Sequence, residues 1–126
     1  MHRDPPHFTD PRHQLGWDGE LRAMRWFADA GFRIEHHRWK LGRHDIDLVV
    51  RKGPLVAFVE VKARSGRWCG AGEEAVTAEK RAILTRVAWS WILAHGRPGD
   101  QYRFDVLALM ETEVRHIPDA WRPGWR

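Results

Sequence analysis

HDIDLVVRKGPLVAFVEVKAR, residues 44–64, is the stretch on which the fold of this chain turns. Val, Ile, Leu and Phe dominate both apolar runs, and Gly53-Pro54 punctuates between them. That pattern is a β-hairpin. Its charges are out of place. Asp45, Asp47, Glu60 and Lys62 sit inside segments that otherwise read as core strand. Ionised groups in an apolar sheet are costly unless paired or bound to a metal.

The turn sets the register. A two-residue turn at Lys52-Gly53, or a four-residue loop from Arg51 to Pro54, makes facing residue numbers sum to 105. Side chains alternate at period 2, so Asp45, Asp47 and Val49 then share a face with Val56, Phe58, Glu60 and Lys62. Asp47 and Glu60 become diagonal neighbours, about 7–8 Å apart at the backbone, and could grip one cation. A three-residue loop would scatter the acids onto opposite faces. A hairpin with one solvated, charged face is the plainer alternative, although Val49, Val56 and Phe58 make that face apolar too.

At 126 residues the chain is long enough for one domain with a real core. Hydrophobic content of 43% with 30% charged residues indicates a globular chain, not a disordered one. No apolar run approaches the roughly 20 residues of a membrane span. The N-terminus lacks a signal-peptide stretch, so a cytoplasmic location is expected. A single Cys69 excludes an internal disulfide framework and a multi-Cys zinc site. The net charge of +4 permits an anionic partner such as nucleic acid. Lys62, Arg64 and Arg67 cluster beyond the acidic hairpin, and Arg115, Arg122 and Arg126 lie near Trp121 and Trp125. Basic residues among aromatics suit a phosphate backbone with exposed bases. They equally suit an ordinary solvated surface.

Residues 1–13, with three prolines, read as a flexible N-terminal tail, 14–120 as a single domain and 121–126 as a C-terminal tail. A helix is expected from near Leu15 to Ala30, ended by Gly31. Glu20 falls on its apolar stripe with Trp17, Met24 and Phe27, so it either meets an inward partner or serves the helix dipole. Phe32 to Trp39 reads as a strand, whose adjacent His36 and His37 point to opposite faces and do not suit one metal. A second helix should start at the N-cap Thr77 and run to about His95. Lys80 lies on or beside its buried face, either snorkelling or serving a site. Tyr102 to Leu109 reads as a buried strand and Val114 to Ile117 as a short edge strand. The order α-β-β-β-α-β-β predicts an α/β domain with a mixed central sheet flanked by helices.

Asp47 followed across the hairpin by Glu60-Val61-Lys62 resembles the D…(D/E)xK signature of the restriction-endonuclease-like nucleases. The wider pattern is similar to the YraN family of small bacterial proteins, themselves similar to archaeal Holliday-junction resolvases. The resemblance rests on Gly16-x-x-Gly19-Glu20, Asp45 to Val49, Phe58 to Arg64, Glu74 to Val76 with Lys80, and Arg103 to Val106. Where that family usually reads Gly-Glu-Ile-Asp, this chain has His44-Asp45-Ile46-Asp47. The resemblance implies a restriction-endonuclease-like fold and an endonuclease that uses Mg²⁺ or Mn²⁺ to hydrolyse phosphodiesters in DNA, with branched DNA among its substrates. Asp47, Glu60, the Val61 carbonyl and Glu20 would serve the metal. Lys62 would orient the attacking water, and Lys62, Arg64, Arg67 and Lys80 would contact nucleic acid. It also admits a homodimer, as in resolvase-like relatives. The alternative is a non-catalytic nucleic-acid-binding module of the same fold.

Overall fold

The computed structural model describes residues 11–63 and 76–124, with side chains from residue 18 onward. Helix α1 spans Pro11–Asp29, and β1 (Arg33–Leu41), β2 (His44–Lys52) and β3 (Leu55–Ala63) follow as a meander. Helix α2 (Ala78–His95) then leads to β4 (Gln101–Leu109) and β5 (Val114–Trp121). The five strands form one mixed sheet in the order β1-β2-β3-β4-β5, in which β3 and β4 are parallel and the other neighbours antiparallel. The element order matches the sequence expectation. Among the described residues, no helix is long and apolar enough to cross a membrane.

Period-2 alternation divides the sheet between two cores. Leu48, Val50, Ala57, Val59, Leu107 and Leu109 pack with Ala23 and Phe27 of α1. Val49, Val56, Phe58, Phe104 and Val106 pack with Leu84, Val87, Ala88 and Trp91 of α2. The helices therefore cover opposite faces. The solvated-face reading of the hairpin fails here, because Val49, Val56 and Phe58 are all buried.

The turn between β2 and β3 differs from expectation by two in the sum. Lys52 faces Leu55 and Val49 faces Phe58, so partners sum to 107 and the turn is Gly53-Pro54. Gly53 takes a left-handed φ of 61°, which glycine adopts at little cost. The Pro54 carbonyl accepts from the Gln101 N–H at 2.8 Å. A change of two keeps the side chains from Leu48 to Val59 on their expected faces. Arg51, beside this turn, pairs with Asp100 through two hydrogen bonds of 2.8 and 2.9 Å. These bonds, above all, hold the Asp100 carboxyl down at about 2. The pair ties the hairpin turn to the loop before β4.

Helix α1 begins at Pro11, so residues 11–13 are helical although the sequence suggested a tail. It ends before Gly31, whose φ is 94°. Helix α2 is capped as expected: the Thr77 side chain accepts from the Lys80 N–H. Strand β5 continues past Pro118 to Trp121, which an edge strand allows because a proline there need not donate to the ladder. Trp121 belongs to the core and not to a tail. It is 6% exposed and stacks on Phe104 at 3.9 Å, so its ring is not free to meet an exposed base, one of the two uses the sequence left open. Trp125, Arg126 and residues 1–10 lie outside the described residues, as does the 64–75 stretch with Arg64, Arg67, Cys69 and Glu74.

Candidate active site

Strand β2 loosens at Asp47. Its pairing with β3 is regular from Lys52 to Leu48 and stops at Leu48↔Val59. On the other side the β1 ladder pairs His37 with Leu48 and Trp39 with Ile46, skipping Arg38 and Asp47. Arg38 there has a left-handed φ of 61°. Alternation breaks at the same point, since Ile46 packs in the α2-side core with Val49. The straight face expected for Asp45, Asp47 and Val49 is therefore bent. The freed Asp47 carboxylate accepts the Val61 N–H at 2.8 Å, replacing a ladder bond.

Three elements bring charge to this opening. Strand β3 supplies Glu60, whose side chain is 9% exposed, and Lys62, whose Nζ lies 3.3 Å from Glu60 Oε2. Helix α2 supplies Lys80, with Nζ 2.7 Å from the same oxygen. Helix α1 supplies Glu20, and Gly19 explains how it comes so close. A Cβ at Gly19 would lie 2.9 Å from Ala63 Cβ, so only glycine lets α1 seat against the end of β3. Glu20 faces inward with partners, one of the two outcomes the sequence left open. His37 Nε2 lies 2.6 Å from Glu20 Oε1, and Arg38 Nε donates to that oxygen at 2.8 Å.

The electrostatics are unequal. Burial pushes the Asp47 carboxyl up, repulsion from Glu60, Glu20 and Asp45 adds to it, and the Val61 bond opposes it only in part. The result is about 8. Burial would also raise Glu20, but the bonds from His37 and Arg38 outweigh it and its pKa falls below the usual value. Burial would lower Lys80, yet the hydrogen bond and attraction of Glu60, followed by Asp47 and Asp45, raise it. Asp47 is thus a half-buried acid with like charges around it, which marks a functional-site candidate.

Asp47 and Glu60 are the carboxylates that could hold a divalent cation. Among the described residues, no group of three or more His, Cys, Asp or Glu side chains is gathered as a metal cage. That donor set fits Mg²⁺, which binds through one or two carboxylates and keeps several waters. Glu20 is turned toward His37 and Arg38, and so is already engaged. Asp45 pairs with the exposed Lys40 at 3.1 Å. The adjacent histidines do point to opposite faces: His37 meets α1, while His36 Nδ1 accepts from Trp91 Nε1 of α2 at 2.8 Å.

Sequence reasoning missed Arg38. Nothing local marks a left-handed arginine inside a strand, and only its place opposite the skipped Asp47 gives it a role. Asp105, within the last matching segment, is structural. Its buried carboxylate accepts from Arg103 at 2.9 and 3.1 Å and from the Asp119 N–H at 3.0 Å, with His116 Nε2 at 2.8 Å. Beside the site, Arg43, His44, Asp45, Thr77, Glu79, Lys80, Ile83 and Leu84 line a cavity of about 270 Å³.

The profile of "Uncharacterised protein family UPF0102" matches residues 19–109, which include every element from the seat of α1 to the end of β4. A UPF0102 protein of Anaeromyxobacter dehalogenans is 38% identical over 123 residues, covering 91% of this chain and 92% of the relative. One of Rhodococcus jostii is 35% identical, covering 85% and 95%, and one of Pelotomaculum thermopropionicum 39% identical, covering 81% and 85%. With this agreement across nearly the whole chain, the protein belongs to the UPF0102 family, the YraN-like proteins.

Proposed function

We propose that this protein is a metal-dependent nuclease of restriction-endonuclease-like type that hydrolyses phosphodiesters in DNA, branched DNA included. The observation that carries the reading is the half-buried Asp47, raised to about 8 where β2 parts from β3, with the buried Glu60 and two lysines beside it. Stability alone gives no reason to gather like charges in a sheet. Phosphodiester hydrolysis gives one, because charge must be neutralised on the phosphate and a water made nucleophilic.

Asp47, Glu60 and the Val61 carbonyl would hold Mg²⁺ or Mn²⁺, which supplies positive charge at the scissile phosphate and activates water when bound. Lys62 orients the attacking water and stabilises charge developing on the phosphate. Lys80 leaves Glu60 to meet a phosphate oxygen when the strand arrives. Glu20, held by His37 and Arg38, adds negative potential that helps keep the Asp47 carboxyl high.

One observation favours the non-catalytic module. Lys62 and Lys80 already balance Glu60, with Lys80 Nζ at 2.7 Å. Titration calorimetry with MgCl₂ and MnCl₂, followed by incubation with branched, single-stranded and duplex DNA, separates the two. Metal binding with strand scission supports the nuclease. DNA binding without metal binding or scission leaves the module.

A further inference from the structure

The cavity beside the site is not explained by metal chemistry. It lies where Arg43, His44 and Asp45, at the β1–β2 turn and the start of β2, face the first turns of α2. Ile83 and the buried Leu84 give it an apolar part. Two cations, two carboxylates and an imidazole complete the lining with Thr77. A bare phosphate would call for an excess of cations, and a metal for an excess of carboxylates. This balanced set, with an apolar wall, suits a ligand that has a flat apolar body, polar edge groups and a phosphate.

We propose that this cavity receives one unpaired nucleotide of the bound strand, next to the phosphate held at Asp47 and Glu60. Its volume of about 270 Å³ is just under the range of small-molecule sites, roughly 300–1,000 Å³, and takes one base with part of its sugar. Lys80 lines the cavity and also reaches Glu60, so the nucleotide and the carboxylates share a wall. The Asp45 and Glu79 carboxylates accept from amino groups of the base edge, and Arg43 and Lys80 meet the flanking phosphates. Ile83 packs on the base face. The substrate class is then DNA with an unpaired nucleotide, such as a bulge, flap or strand junction, in preference to continuous duplex. Taking a base from a continuous duplex costs unpairing energy that an already unpaired base does not. The inference rests on the DNA reading above, but it requires binding and not scission.

The test compares a duplex carrying one bulged 2-aminopurine with the same duplex lacking the bulge, by anisotropy and 2-aminopurine emission without added metal. The wild type should bind the bulged DNA about tenfold tighter, as an unpaired base spares the cost of leaving a continuous stack, and emission should rise as the base unstacks. Ile83→Trp, which fills the cavity, should bring the affinity ratio close to one. Arg43→Glu, at an exposed position, provides a second variant should the first fold poorly and should also reduce the ratio. Equal wild-type affinity for the two DNAs, or a preference that survives both variants, overturns the proposal. A preference that behaves as expected in a protein that never cuts DNA upholds the cavity and defeats only the nuclease reading.

Discussion

Asp47 is held by one hydrogen bond to Val61 and pressed by three acids, and both facts bear on its replacement. Asn keeps an acceptor for the Val61 N–H and carries no charge, as the protonated acid does. An acid whose folded pKa exceeds its unfolded value binds its proton more tightly in the native state. Stability therefore falls as pH rises from the ordinary 3.8 to about 8, and no further above that. Asp47→Asn should match the wild type in melting temperature near pH 4 and exceed it by a growing margin up to pH 8–9. A loss of several degrees at pH 7 would instead make Asp47 half of a needed pair. Lys62 calls for a different measurement. Lys62→Ala should lower cleavage by about 100-fold or more, as losing a positioned catalytic group does. DNA affinity should change little, with the salt slope falling by about one. An equal loss of affinity and rate would reduce Lys62 to a simple basic contact. Asp47, Glu60 and Lys62 were legible because strands rarely bury charge. Arg38 was not, since its conformation follows from the break in two ladders and not from its neighbours in sequence.

At the level of elements, the approach of α1 to β3 is the contact most open to a direct test. Gly19 would place a Cβ 2.9 Å from Ala63 Cβ, and both atoms belong to short, inflexible groups. Gly19→Ala gains helix propensity of about 1 kcal/mol, but overpacking typically costs about 1–3 kcal/mol. A net loss of roughly 1 kcal/mol is expected in urea unfolding, together with displacement of Glu20 from the site. Ala63→Gly in the same chain should recover most of that loss, and a double-mutant cycle measures the coupling. Additive effects would mean that the two residues do not limit helix docking. The sequence indicated both helices, the Thr77 cap and the two-faced hairpin, because periodicity and capping are local. It misjudged the turn by placing it one residue early, since Gly53 and Pro54 both lie within the turn itself. It stopped β5 at Pro118 because the tolerance of an edge strand for proline depends on which neighbours exist. Trp121 was misread for the same reason: its partner Phe104 lies 17 residues away in sequence.

For the molecule as a whole, the two helices close opposite faces of the sheet and leave its charged opening where β2 and β3 diverge. An ion bound only by the folded state stabilises it by RT ln(1 + [L]/Kd), about 2.7 kcal/mol at a hundredfold excess over Kd. A carboxylate must lose its proton before it can serve the ion, so a metal held at Asp47 would compete with the proton it retains up to about pH 8. The rise in melting temperature on adding MgCl₂ should therefore be small at pH 6 and grow to several degrees by pH 8.5. Over the same range, calorimetry should detect proton release that diminishes toward the upper end. Asp47→Asn should abolish the rise at every pH, whereas Asp105→Asn should keep the ion's effect whatever it does to stability, since Asp105 is committed to Arg103, His116 and Asp119. A magnesium effect that is independent of pH, or that persists in Asp47→Asn, would place the ion elsewhere on the chain. The nuclease reading would then lose its centre, because Glu60 alone, already shared by Lys62 and Lys80, offers a cation no net charge to bind.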